Sequence, residues 1–159
     1  MAMVATRNFR AVDDLLARPP VPAQEQINKL GKAGARALLR YESSELNRWY
    51  FETWGMAETA IGVVLMMVLL FGSSETKFTL LLALLMLLSA LVQRFGLTPE
   101  IVALGRIIDF LPQPSPERTR FGMLHGVYVG LELFKWVVGW LLTLKLLFRR
   151  RKTVRQGLA

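Results

Sequence analysis

The sequence contains no cysteine and a single histidine, His125. Without cysteine the chain forms no disulfide bond and has no thiolate chemistry. One histidine excludes a two-histidine metal site and a bis-histidine haem within one chain. The sequence also lacks a phosphate-binding loop, a zinc-ligand pattern and a nucleophile elbow. We therefore expect no catalytic residue, no metal site and no enzymatic activity.

Charge is absent from long stretches of the chain. Residues 78–92 contain no charged residue, and residues 56–71 contain only Glu58, close to their start. With flanking residues each run reaches the ~20 residues that cross a bilayer, and a third run, 121–148, is longer still. A short polar link joins the first two runs as a hairpin. The sequence predicts an all-α membrane protein with three transmembrane helices and amphipathic interfacial helices.

The N-terminal ten residues have no apolar core of the kind found in signal peptides, so we expect the first span to act as the insertion signal. Residues 1–22 end in a proline-rich turn and are predicted to form a loose arm. Residues 23–55 are predicted to form amphipathic interfacial helices. Residues 56–148 would form the three-span bundle, with an interfacial helix near 98–111 that starts at a Thr-Pro-Glu sequence. The polybasic tail comprises residues 149–159.

Two local features are expected outside the spans. Ser43 or Ser44 would cap a helix that runs into the first span without a break near Gly55. Arg106 and Asp109, which are three residues apart, would pair on the later interfacial helix. Aromatic residues at the mouth of the first span form a predicted interfacial belt, namely Trp49, Tyr50, Phe51 and Trp54.

The third run carries ionisable residues where most spans have none. At 100° per residue, His125, Tyr128, Glu132 and Lys135 fall on one side of a helix. Insertion of one ionised group into a span costs roughly 2.5–3.5 kcal/mol, so such groups are usually paired or functional. Glu132 and Lys135 are expected to pair, and Glu58 is a possible partner in a proton or ion relay.

Gly122, Gly126 and Gly130 form a strip beside this polar stripe. Glycines spaced by four residues allow the backbones of two membrane helices to approach closely. The strip therefore predicts a helix-packing face.

The formal net charge of +8 arises from basic residues that lie beside the apolar runs, which indicates contact with anionic lipid headgroups and not with nucleic acid. The distribution of positive charge does not assign the orientation of the chain in the membrane. Three spans place the two ends of the chain on opposite sides, and both the C-terminal cluster and the N-terminal half are basic. The predicted headgroup contacts are Lys29, Lys32, Arg36, Arg40, Arg149, Arg150, Arg151 and Lys152.

Residues 39–48, 97–101, 105–110 and 120–126 together resemble a broad group of small bacterial integral membrane proteins of unknown function. Those relatives look like bundles of about four helices that span the membrane. This chain differs in having no apolar span within residues 1–40. The resemblance implies no activity, and it implies a location in the bacterial inner membrane.

These features favour a non-enzymatic structural or accessory subunit that packs against partner transmembrane helices, either in a homo-oligomer or in a larger membrane complex. Two alternatives stay open. One is a cofactor-binding or proton-conducting subunit of a respiratory or photosynthetic electron-transfer complex, with His125 as axial ligand of a haem or chlorophyll. The other is a small dimeric transporter.

Membrane residence can be tested directly. Three apolar runs bind far more strongly than a peripheral anchor, so the chain should stay in the membrane pellet after an alkaline carbonate wash. Recovery of the protein in the carbonate supernatant without detergent would contradict the predicted fold class.

Overall fold

A computed structural model describes residues 2–73, 75–112 and 114–156, with side chains from residue 6 to residue 148. The described residues contain no strand. They form α-helices and one π-helical turn: α1 (Ala2–Ala17), α2 (Val21–Leu30), α3 (Lys32–Phe71), α4 (Lys77–Leu91), the π turn (Val92–Leu97), α5 (Thr98–Ile108) and α6 (Pro116–Gln156).

Three continuous helical stretches are long and apolar enough to cross a membrane: Lys32–Phe71, Lys77–Ile108 and Pro116–Phe148. The predicted all-α membrane fold with three spans is therefore confirmed. Only 11%, 28% and 22% of their most apolar windows are buried within the chain. Apolar side chains left uncovered to this extent are compatible with an integral membrane protein whose surroundings are lipid.

The N-terminal segment differs from the expected loose arm, because α1 is a helix packed on α3. Val12 and Leu16 of α1 are buried against Ala35 of α3. Arg36 donates a hydrogen bond of 2.7 Å to the Asp13 carboxylate. Val12 and Leu16 are four residues apart and therefore share one face of a helix. This spacing indicates a packed helix, whereas the proline-rich turn after it led to the prediction of a loose arm.

The expected helix start at Ser43 or Ser44 is wrong, because α3 is continuous from Lys32 to Phe71. The chain instead breaks at Gly31, whose φ of +73° is a conformation that glycine adopts at little cost. Ser44 is buried in the middle of α3, where its hydroxyl donates to the Asp109 carboxylate at 3.5 Å.

The expected passage of this helix into the first span without a break is confirmed. At 1.5 Å per residue the 40 residues of α3 extend for about 60 Å, roughly twice the thickness of a hydrocarbon core. The N-terminal part of α3 therefore extends beyond the bilayer, where it contacts α1, α2 and α5.

The helix that the sequence predicts from Thr98 is present as α5, but it is not separate from the second span, because the π turn joins α4 to α5 without a break. The Thr98 N–H bonds to the carbonyl of Gln93, five residues earlier. In a regular α-helix the Pro99 ring would crowd the carbonyl four residues before it, and the wider π turn relieves this crowding. At 1.5 Å per residue Lys77–Ile108 extends for about 48 Å, more than a hydrocarbon core of ~30 Å, so α5 reaches beyond the core, and its interfacial location stays a prediction.

The expected pair between Arg106 and Asp109 is also wrong. Arg106 Nε lies 2.9 Å from Glu45 Oε1, and Arg48 Nη2 lies 2.9 Å from Asp109 Oδ2. Glu45 and Arg48 are three apart on α3 and face α5, so each residue of one helix finds its counter-charge on the other. This ion-pair network fixes α3 against α5 next to the first and second spans.

Within the spans, α4 lies between α3 and α6 and packs against both, whereas the backbones of α3 and α6 do not pack together over the described residues. The buried core of the spans is correspondingly small. It comprises Leu69, Leu82, Ala83, Val138 and Leu142. The side of the bundle between α3 and α6 is therefore open.

Close packing of α3 on α4 at Gly62 gives a test of this arrangement. A Cβ added at Gly62 would lie 3.1 Å from Leu87 Cδ1, whereas one added at Gly34 would meet no atom within 4 Å. We expect Gly62→Leu to lower the free energy of unfolding by about 1–3 kcal/mol through overpacking. The measurement is unfolding of the detergent-solubilised protein by increasing dodecyl sulfate, followed by circular dichroism.

Gly34→Leu is the matched control. It should leave the free energy of unfolding unchanged or raise it by up to about 1 kcal/mol, because a helical glycine costs conformational entropy. Equal losses for the two variants would contradict the packing of α3 on α4.

Candidate functional site

Three ionisable side chains meet between α3 and α6. Lys135 Nζ lies 2.6 Å from Glu58 Oε2 and 2.7 Å from Glu132 Oε1. Lys135 is 7% exposed, and the two carboxylates are partly buried. The expected pairing of Glu132 with Lys135 is confirmed, and Glu58 is in direct contact with the same ammonium group. We call these three residues the charged triad.

Gln93 of the π turn is the fourth member of this network, and sequence analysis missed its role. Its Nε2 donates hydrogen bonds of 3.0 Å to Glu132 Oε1 and to the Tyr128 carbonyl. The side chain is 2% exposed, and its Oε1 has no hydrogen-bond partner among the described residues. The available signal was a lone amide directly after the uncharged run of residues 78–92.

The triad lies on the apolar spans between two polar levels. Lys145 Nζ contacts Thr76 Oγ1, at the start of α4, at 2.7 Å and marks one polar level. Lys135 is ten positions earlier on α6, or about 15 Å from that level. On the other side Gln93, which contacts Glu132, is directly followed by Arg94. One ammonium and two carboxylates in contact have a formal charge of −1 when all are ionised.

An open groove runs beside the triad between α3 and α6, over α4. It has a volume of about 610 Å³, and its only charged lining residues in the described part of the chain are those of the triad. Its other lining is apolar apart from Thr143. Three tryptophans, Trp54, Trp136 and Trp140, are among the lining residues.

The two remaining members of the predicted polar stripe differ in their environments. Tyr128 lies beside the triad, because its side chain is hydrogen-bonded to Glu132. It is 5% exposed, and its ring centroid lies 4.4 Å from that of Phe51 of α3. His125 is exposed and stacks on Phe121 of the same helix at 5.9 Å. The structure thus does not bring His125 into the triad. Among the described residues no group of three or more histidine, aspartate or glutamate side chains is placed to bind a metal.

The predicted packing glycines of α6 are uncovered in this chain. A Cβ added at Gly122, Gly126 or Gly130 would meet no atom within 4 Å. Four other glycines, which the sequence analysis did not single out as packing sites, have neighbours at 3.1–3.3 Å from such a Cβ. These intrachain packing glycines are Gly55, Gly62, Gly105 and Gly139.

Some of the predicted headgroup contacts are engaged within the chain. Arg36 and Arg40 lie 2.7 Å and 3.7 Å from the Asp13 carboxylate of α1. Lys29 pairs with Glu25 at 2.7 Å. All these side chains keep about half or more of their surface exposed, so the pairs do not prevent headgroup contact. The predicted contacts of Arg149, Arg150, Arg151 and Lys152 lie on side chains outside the described residues.

Comparison of the chain with protein-family models, with curated proteins and with solved structures finds no match. The resemblance to small bacterial membrane proteins therefore stays a prediction, and the site has to be interpreted from its own geometry.

The triad should behave as one electrostatic unit of three residues, which stability measurements can test. Removal of one partner from a buried ion pair typically costs about 3–5 kcal/mol, whereas apolar replacement of the whole group can be neutral or stabilising. We expect Lys135→Met to be the most destabilising single change, because it leaves two carboxylates in contact without a cation. Glu58→Gln and Glu132→Gln should each cost less, because Lys135 keeps one partner.

The decisive variant combines Glu58→Gln, Glu132→Gln and Lys135→Met. Its thermal stability in detergent should recover most of the loss seen for Lys135→Met alone, whereas Glu132→Gln with Lys135→Met should recover little, because Glu58 stays charged. Strictly additive losses across the series would show that the three side chains do not interact.

Proposed function

We propose that this protein is a non-enzymatic structural or accessory subunit of a membrane assembly, and that α6 packs its glycine strip against another transmembrane helix. The proposal rests on one observation. Gly122, Gly126 and Gly130 repeat every four residues with no atom within 4 Å of an added Cβ, whereas Gly139 of the same helix is in close contact with Met86.

The orientation of the strip supports an intermolecular contact. Gly126 lies nine positions before Lys135, and at about 100° per residue the two point to opposite sides of α6. The strip continues toward the C-terminus along Leu133 and Val137, which are 63% and 60% exposed. This face is smooth, apolar and directed away from α3 and α4.

Because the hydrophobic effect does not drive helix pairing in lipid, van der Waals packing contributes to the association of helices there, and small residues strengthen it by letting the backbones approach closely. A glycine strip packs more closely against a neighbouring helix than against lipid chains. It therefore gains more van der Waals contact with the helix. The partner helix comes from a second copy of the chain or from another subunit. From the resemblance, we propose the bacterial inner membrane as the location of the assembly.

Gly126→Leu tests the proposal without disturbing the chain itself, since an added Cβ at Gly126 meets no atom within 4 Å. We expect the variant to lose the assembled form in native electrophoresis of mild detergent extracts while its thermal stability as a monomer is unchanged. Analytical ultracentrifugation gives the molecular mass of the purified protein. This mass distinguishes self-association from assembly with another subunit.

Val64→Phe is the control, because Val64 is an apolar α3 residue with 61% exposure that is not part of the strip. It should leave the assembly intact. A wild-type protein that runs as a monomer both in membrane extracts and after purification would refute the proposed function, as would a Gly126→Leu variant that assembles normally.

A further inference from the structure

We infer that the groove between α3 and α6 binds a lipophilic organic cation, with the charged triad as its counter-charge. The inference is independent of the proposed function, because the groove and the glycine strip occupy different sides of α6. The observations that carry it are the charge of the triad, its position, and the size and lining of the groove.

The charge of the triad is not balanced within the groove. Lys135 neutralises one carboxylate, and Gln93, which also contacts Glu132, is neutral. The two contacts with Lys135 use only Oε2 of Glu58 and Oε1 of Glu132. No other charged residue lines the groove in the described part of the chain, so the triad, with all three groups ionised, places a formal charge of −1 beside an apolar space. A cation in the groove removes this imbalance, and an anion increases it.

The size and lining of the groove suit a small molecule. Its volume of about 610 Å³ is within the range of roughly 300–1,000 Å³ that is typical of ligand sites. Trp54, Trp136 and Trp140 line it and are 45%, 66% and 61% exposed. Aromatic rings of this kind bind organic cations through their negative faces. Aliphatic residues such as Ile61 and Leu65 would contact the apolar part of the ligand.

The position of the groove favours a lipophilic cation. The triad lies about 15 Å along α6 from the polar level marked by Lys145, and the groove is lined by residues of the three candidate spans. A cation that reaches the triad from this level passes apolar residues, which favours a delocalised or shielded charge. A compact organic cation of this kind matches the groove in size and in charge.

The experiment compares two ions of similar shape and opposite charge. The purified full-length protein in lipid nanodiscs is titrated with tetraphenylphosphonium and, separately, with tetraphenylborate, and binding is measured by equilibrium dialysis against protein-free nanodiscs. We expect saturable binding of the phosphonium at one site per chain and no saturable binding of the borate.

Glu58→Gln is the informative variant, because Lys135 and Glu132 still form a neutral pair when Glu58 is uncharged. It should weaken phosphonium binding by at least about tenfold, as expected for loss of a charge-assisted contact. Trp136→Leu, at a residue with 66% exposure, should weaken binding without affecting the fold. Glu42→Gln removes an exposed carboxylate of the same helix outside the groove and should leave binding unchanged.

Circular dichroism and thermal melts of each variant separate a binding defect from a folding defect. Equal binding of the two ions would overturn the inference, because the groove would then select for apolarity alone. Absence of saturable phosphonium binding to the wild type would overturn it as well. So would unchanged binding by folded Glu58→Gln, or an equal loss in Glu42→Gln.

Discussion

The need to hold one ammonium group between apolar helices constrains much of this structure. Lys135 is 7% exposed, and Glu58 of α3 and Glu132 of α6 contact it directly. Glu132 is in turn held by Gln93 of the π turn. The four residues come from all three spans. Apolar helix faces can slide past one another at little cost, so this polar network is what fixes the depth of each span relative to the others.

A second charged network performs the same task outside the hydrocarbon core. Glu45 of α3 pairs with Arg106 of α5, and Arg48 of α3 pairs with Asp109, the residue directly after α5. Arg118, at the start of α6, donates to the carbonyls of Ile108 and Leu111, which satisfies acceptors left free at the end of α5. The first span is thus held at two levels about 20 Å apart, since 13 residues of α3 separate Glu45 from Glu58. Between these levels the packing is apolar and relies on close contacts such as that of Gly62.

The sequence was most informative where the governing physics is local. Length and the absence of charge identify a span without reference to any other segment, so the three spans could be predicted. Helical periodicity likewise placed Glu132 and Lys135 together. The incorrect predictions concern residues that pair with a partner distant in the sequence although a possible partner lies nearby in the sequence. Arg106 has Asp109 three residues away but pairs with Glu45, 61 positions earlier. The local sequence around Arg106 does not indicate this pairing, because the pairing depends on how α3 and α5 pack against each other.

The π turn has a further consequence for how this chain tolerates insertions and deletions. A π turn holds one residue more than the α-helical turn that it replaces. Because it makes about the same rotation as an α-helical turn with one residue fewer, deletion of one residue within residues 94–97 would leave regular α-helix and keep α5 in nearly the same orientation relative to α4. A deletion in the regular helix of α4 would instead rotate the residues beyond it by about 100° and turn Arg106 away from α3. The π turn is thus a place in a continuous helix where the number of residues can change by one while the network around Lys135 and the network around Glu45 keep their relation.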